Sequence, residues 1–374
     1  MKFMKKITAL ILILFAFTGI SYADIVYTTS DGNLGTIPIN SRTEINTPSI
    51  QYSGVGADPL VGSYTVETTP YVMVVDRASN NAFGDTALIF SASDLTAPSA
   101  SVTLTGVHNT KTLAGSYNGR SLFFASDGNT SIVEFDTSSI DIPINMYTYV
   151  QDSADEEYEP EFLDMSVGRT YIFALFRATP DKVELFAFDG QIKEGVSKTR
   201  RAVIRSDAAS LSALASNRYA VGAEEGVSVA NINSIRAIVS TDYPVKATCR
   251  DKDSGLYFAE QSESGDVYLW HSSYNGDNVK LFASLQGTSD CQLLRHSSYN
   301  ILAAMTGDSI YLYDMSDDGL LASFSASDLG GRPLNIAESN PEHDDGKSSG
   351  SNCSVSCLGA IMIGVTGFAL RRKR

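Results

Sequence analysis

Apolar residues along this chain gather in short uninterrupted runs, each followed by a polar turn and a second run in which apolar and polar residues alternate. The uninterrupted runs are rich in β-branched and aromatic side chains. They read "IVYTT" from Ile25, "YVMVV" from Tyr71, "LFFAS" from Leu122, "YIFAL" from Tyr171, "YAVGA" from Tyr219, "LYFAE" from Leu256 and "ILAAM" from Ile301. Such a run predicts a strand covered on both faces. An alternating run, such as "SIVEFD" from Ser131 or "SIYLYD" from Ser309, predicts a strand with one wetter face. A more ragged strand follows, as in "ASVTLTG" around Val102, "VSKTRRAVI" around Arg200 and "NVKLFASL" around Val279. Another precedes each run, as in "TLAGSYNG", "FLDMSVG", "LSALASN" and "CQLLRHS".

Taking Val26, Val72, Leu122, Tyr171, Tyr219, Leu256 and Ile301 as markers, the runs recur at intervals of 46, 50, 49, 48, 37 and 45 residues. A period in the forties made of four strands and their turns predicts the blades of a propeller, here an all-β ring of seven. Two packed layers of irregular strands are the competing architecture, and the regular recurrence favours the ring. No strand fits in front of Ile25, whereas "GRPLNIAES", from Gly331 to Ser339, is similar to the innermost-strand segment "DPLVGSYTV" from Asp58. Pro333 to Glu338 is therefore expected to supply the missing strand of the first blade and close the ring, removing its open edge. The hexapeptide "FSASDL" occurs at Phe90 and at Phe324, on different strands in this register, and reads as coincidence.

The ends carry separate signals. Lys2, Lys5 and Lys6, the apolar stretch Ile7 to Ile20 and the small residues around Ala23 form a secretory leader, with cleavage expected between Ala23 and Asp24. Residues 24–339 then form the propeller and 340–353 a Pro-, Asp-, Gly- and Ser-rich tether. Residues 354–370 carry no charge and would span about 25 Å as a helix, enough for a short transmembrane segment. Arg371, Arg372, Lys373 and Arg374 would remain on the cytoplasmic side. The sequence "SSGSNC" ending at Cys353, the apolar run and the final "RRKR" together resemble the C-terminal sorting signals of diderm bacteria, the Synergist-CTERM type among them. The resemblance covers about the last 27 residues, and implies a dedicated sorting protease with Cys353 as the processing or modification residue. Cys357 is a second cysteine in the same stretch.

Charge narrows the partners. Taking the three lysines of the leader and the four terminal cations out of a net charge of −15 leaves −22 for the rest. So acidic a surface repels phosphate backbones and argues against nucleic acid. Cys249 and Cys291 are the cysteines of the globular part, and outside the cytosol they suit either a disulfide or two buried thiols.

Candidate chemistry is sparse. His108, His271, His296 and His343 show no HxH or HExxH spacing, and neither a GxSxG elbow nor a glycine-rich phosphate loop is present. "QDSADEEYEPE" concentrates Asp152, Asp155, Glu156, Glu157, Glu159 and Glu161 between the third and fourth blades. Carboxylates so dense suit calcium, yet the DxDxDG spacing is missing and a solvated loop is the simpler reading. "KTRRAVIR" reads as an outer strand whose cations protect an edge. The strand ends at Asp136, Asp189 and Asp314 resemble, loosely, the Trp-Asp pairs of WD40- and YVTN-type propellers, and each reads more simply as a turn-capping carboxylate.

The resulting expectation is an exported propeller, anchored in or sorted through the cell envelope, that binds a protein, peptide or glycan without catalysis and without a cofactor. The alternatives are a propeller hydrolase or lyase with carboxylates at the channel mouth, and a scaffold in envelope assembly. Three or more carboxylates converging with a histidine at the channel would favour the enzyme.

Overall fold

The computed structural model describes residues 24–340, apart from 68, 79–81, 116–119, 127–129, 151–156, 169–170, 190–199, 205–207, 215–217, 232–233, 252–254 and 287–290. The leader, most of the tether, and the apolar and basic tail therefore lie outside the described residues, as do Ala23, Cys353 and Arg371 to Arg374. Among the described residues no helix is long and apolar enough to cross a membrane.

The strands form seven four-stranded antiparallel sheets, a seven-bladed β-propeller. Blade 1 runs outward from β30 (Pro333–Glu338) through β1 (Ile25–Thr29) and β2 (Asn33–Ile37) to β5 (Ser49–Ser53). Blade 2 comprises β6 (Pro59–Val66), β7 (Thr69–Asp76), β8 (Gly84–Ser91) and β9 (Ala100–Thr105). Blade 3 comprises β10 (Thr110–Gly115), β11 (Ser121–Ser126), β12 (Ser131–Asp136) and β13 (Ser139–Thr148). Blade 4 comprises β14 (Glu161–Val167), β15 (Tyr171–Thr179), β16 (Lys182–Asp189) and β17 (Arg200–Ile204). Blade 5 comprises β18 (Ala208–Ala213), β19 (Tyr219–Ala223), β20 (Gly226–Asn231) and β21 (Ser234–Ser240). Blade 6 comprises β22 (Val245–Arg250), β23 (Gly255–Gln261), β24 (Val267–Ser273) and β25 (Lys280–Leu285). Blade 7 comprises β26 (Gln292–His296), β27 (Ile301–Met305), β28 (Ser309–Asp314) and β29 (Leu320–Ser325). A small ribbon of β3 (Ile39–Ser41) and β4 (Glu44–Ile45) and a one-turn helix, α1 (Ala326–Leu329), complete the described elements.

Each uninterrupted run is the second strand of its blade because both of its faces are buried. In β1, Ile25 and Tyr27 pack with Ile301 and Ala303 of blade 7, whereas Val26 packs with Val72 and Val74 of blade 2. The same alternation between neighbours repeats around the ring, so seven apolar wedges separate seven blades. Each fully buried Val, Leu, Ile or Phe contributes about 1.5–3 kcal/mol against exposure, so the wedges hold the sheets in place. The outermost strands face water on one side and are correspondingly ragged, as in β25, mostly exposed or half-buried.

Pro333–Glu338 closes the ring. β30 pairs antiparallel with β1, placing Glu338 opposite Ile25 and Ala337 opposite Val26. The backbone N–H of Asp24 donates to Ser339 Oγ at 2.8 Å, and the Ser339 N–H donates to the Asp24 carbonyl, also at 2.8 Å. The innermost strands touch in sequence from β30 and β6 round to β26 and back to β30, enclosing a central channel.

Candidate functional site

The inner edge of an innermost strand has no β-partner, so its peptide groups need other company. Polar side chains from neighbouring blades provide it. Asp164 on β14 accepts from the Leu211 N–H of β18 at 2.7 Å, and Ser166 Oγ accepts from the Ala213 N–H at 2.7 Å. Asn335 on β30 donates to the Pro59 carbonyl at 3.0 Å. Gln292 on β26 grips the other side of β30, donating to the Leu334 carbonyl and accepting from the Ile336 N–H, both at 3.2 Å. Asp85, 1% exposed, holds the start of β10 through the Thr110 N–H and hydroxyl at 2.7 Å each. These buried polar groups are structural cross-ties between blades.

A different arrangement appears where β22, β26 and β30 end. Arg250 stands opposite Leu256, Arg295 opposite Leu302, and Glu338 opposite Ile25. Each of those three apolar partners packs against the preceding blade. The three charged residues therefore hold equivalent positions on three consecutive blades, at one end of the channel. All are buried, with exposures of 4%, 3% and 2%. Glu338 is clamped by Ser297, whose hydroxyl donates to Oε1 at 2.5 Å and whose N–H lies 3.1 and 3.2 Å from the two carboxylate oxygens.

His296, fully buried, adjoins this group. Its Nδ1 accepts from the N–H groups of Ser298 and Tyr299 at 3.2 and 3.3 Å, which assigns the proton of a neutral ring to Nε2. The 3.7 Å approach of Nδ1 to Glu338 is too long for a hydrogen bond and is not an ion pair in that tautomer. Beside Arg250 stands the phenol of Tyr274, which burial pushes above its ordinary pKa while the guanidinium pulls it back.

Chemically, the mouth offers two cations to a developing or resident negative charge, a carboxylate and an imidazole. Among the described residues, no three or more His, Cys, Asp or Glu side chains are arranged to hold a metal ion. Among the described residues one carboxylate, rather than three, meets a histidine here.

Other sequence candidates fall elsewhere. Asp152, Asp155 and Glu156 lie outside the described residues, and Glu157 and Glu159 are exposed. Glu161 belongs to β14 rather than to the acidic loop, and its carboxylate binds Arg177 and also faces Lys111, whose ammonium donates to the Phe162 carbonyl at 2.9 Å. Cys249 and Cys291 are buried thiols in the wedge between blades 6 and 7, not a disulfide. His271 pairs with Asp251 at 2.9 Å, and His343 lies outside the described residues.

Asp136 and Asp314 cap turns, accepting from the N–H groups of Ser138 and Ser316 at 2.8 Å each. Hydrogen bonds from the Ser138 hydroxyl and N–H hold the Asp136 carboxyl below its usual range. Arg200 and Arg201 lie on β17, an outermost strand. Arg250, Arg295, Ser297 and Glu338 carried no functional signal in the sequence. The available clue was a charge closing an apolar innermost strand, as in the "LLRH" of β26.

No family model matches the chain, and no curated protein matches it. Solved structures do. A proposed 6-phosphogluconolactonase from Bacteroides fragilis is similar at 12% identity over 86% of this chain and 99% of its own, with a TM-score of 0.61. The periplasmic gluconolactonase of Pseudomonas aeruginosa, also 12% identical, covers 85% of this chain and 99% of its own at 0.57. The WD40 domain of Toxoplasma gondii coronin, 11% identical, covers 82% and 76% at 0.53. Identities this low carry the fold: all three share the ring.

Proposed function

We propose that this propeller is a hydrolase of a small ester or lactone, acting at the channel mouth over blades 6, 7 and 1. The observation that carries the reading is the placement of Arg250, Arg295 and Glu338 at equivalent positions on consecutive innermost strands, with His296 alongside. The gluconolactonase names among the fold neighbours point the same way. In the proposed reaction, water adds to the acyl carbon as Glu338 takes its proton, and the guanidinium groups stabilise the oxyanion. The acyl–oxygen bond then breaks, and the proton on Glu338 passes to the departing alkoxide. The products are an alcohol and a carboxylic acid, which ionises to a carboxylate by releasing its proton to water.

The experiment is a pH-stat assay of the full chain against a panel of lactones and aryl esters. Hydrolysis is expected, with kcat falling by about 10²-fold or more in Glu338→Gln, which keeps an acceptor for Ser297. Absence of turnover on every substrate overturns the reading.

One observation favours a second reading, a non-enzymatic binding module. Glu338 already accepts from the Ser297 hydroxyl and N–H, as a structural carboxylate would. Recovery of a specific envelope partner by crosslinking, together with inactivity in the pH-stat, selects it. In either case we place the ring outside the cytosol, on the strength of the leader before Asp24 and the tail after Cys353. A mature mass beginning at Asp24 is the corresponding measurement.

A further inference from the structure

Arg295 is 3% exposed, and its Nε has no hydrogen-bond acceptor among the described residues. A guanidinium stays charged at every pH a protein meets, so burial without an acceptor is costly unless something else supplies one. Glu338, the carboxylate at the equivalent position of the next blade, accepts from Ser297. Further polar atoms on the inner strands are in the same condition. Thr248 Oγ1 on β22 and Ser212 Oγ on β18 are buried and lack partners among the described residues. Arg250 adds a second positive charge at the equivalent position of the adjacent blade. A local concentration of buried cations inside a chain segment of net charge −22 is not a consequence of composition.

We propose that Arg295 anchors a binding site for a small organic carboxylate at the channel mouth between blades 6 and 7. A carboxylate presents two oxygens in one plane, matching the fork formed by Nε and one terminal nitrogen of the guanidinium. Arg250, at the equivalent position of the adjacent blade, adds positive charge at the same end of the channel. The inference deepens the hydrolase reading, because cleavage of an ester or lactone creates such a carboxylate, and Arg295 would then recognise the product. It stands on the buried guanidinium and requires no turnover.

The test is thermal unfolding of the full chain in sodium acetate, with sodium phosphate as a parallel arm and chloride holding ionic strength constant. Acetate at about ten times its Kd is expected to raise the wild-type Tm by about 2–4 °C. Arg295→Met should abolish the shift and Arg295→Lys retain part of it. In chloride alone, Arg295→Met should be at least as stable as wild type, since it removes a buried cation without an acceptor.

Equal acetate shifts in wild type and Arg295→Met overturn the proposal, as does no shift in either. An Arg295-dependent shift with phosphate and none with acetate also overturns the carboxylate assignment. A large loss of stability by Arg295→Met in chloride makes the residue structural and has the same effect. An acetate shift that requires Arg295, in a protein that cleaves no ester, supports this site while removing the hydrolase reading. Ester cleavage whose product inhibition is the same in wild type and Arg295→Met removes this site while leaving the hydrolysis itself standing.

Discussion

At the scale of single residues, the ring depends on where side chains are missing as much as on where they are present. Gly35 on β2 lies beneath the Tyr27 ring, and a Cβ there would sit 2.2 Å from Tyr27 Cζ. Tyr27 is fully buried, its hydroxyl has no partner among the described residues, and burial pushes its pKa up to about 12. Gly35→Ala is therefore expected to destabilise by about 1–3 kcal/mol, because an enclosed aromatic ring has little room to move. Tyr27→Phe should leave stability unchanged or raise it, since the lost hydroxyl made no bond. Denaturant midpoints of the two variants check both expectations, and a Gly35→Ala protein as stable as wild type would refute the packing argument.

At the scale of elements, identical sequence meets different surroundings. In the first "FSASDL", Asp94 accepts from the Thr96 N–H and hydroxyl in a turn after β8. In the second, Asp328 accepts from the Ser325 N–H and hydroxyl, starting α1, which Gly330 ends with a φ of 70°. The residues after the hexapeptide decide: Gly330 allows the left-handed turn that Thr96 does not favour. Second strands were legible because burial on both faces writes an unbroken apolar run, and β30 because its pattern matched β6. The channel mouth was not legible. Arg250, Arg295 and Glu338 are some 45 residues apart, and a charge at a strand end looks like the start of a turn. Ring closure gives the element-scale prediction. A chain ending at Gly330 loses β30 and leaves β1 without its inner partner and β6 without the adjoining innermost strand. It should lose the cooperative thermal transition rather than shift it slightly, as followed by circular dichroism; a wild-type transition would disprove closure.

For the whole molecule, seven wedges spread stability around the ring while charge opposes it. A segment of net charge −22 repels itself at low ionic strength, and salt shortens the reach of that repulsion to about 8 Å near physiological concentration. Neutral salt is accordingly expected to raise Tm in a scanning-calorimetry series, and a salt-independent or falling Tm would show that local ion pairs, such as Arg42–Asp314 at 2.7 Å, outweigh the net repulsion. The same scale accounts for the site. Neighbouring blades bring equivalent positions of successive repeats side by side, so substitutions at one register position of a repeat become a cluster in space.

The contact between Asp24 and Ser339 bears on how the molecule can be rewired. With the two residues exchanging hydrogen bonds, a linker of about two or three residues could join them covalently. New termini opened near His108, between blades 2 and 3, would then give a circular permutant in which β30 and β1 form a continuous hairpin. The weak seam would move to another blade boundary, leaving the cationic mouth intact.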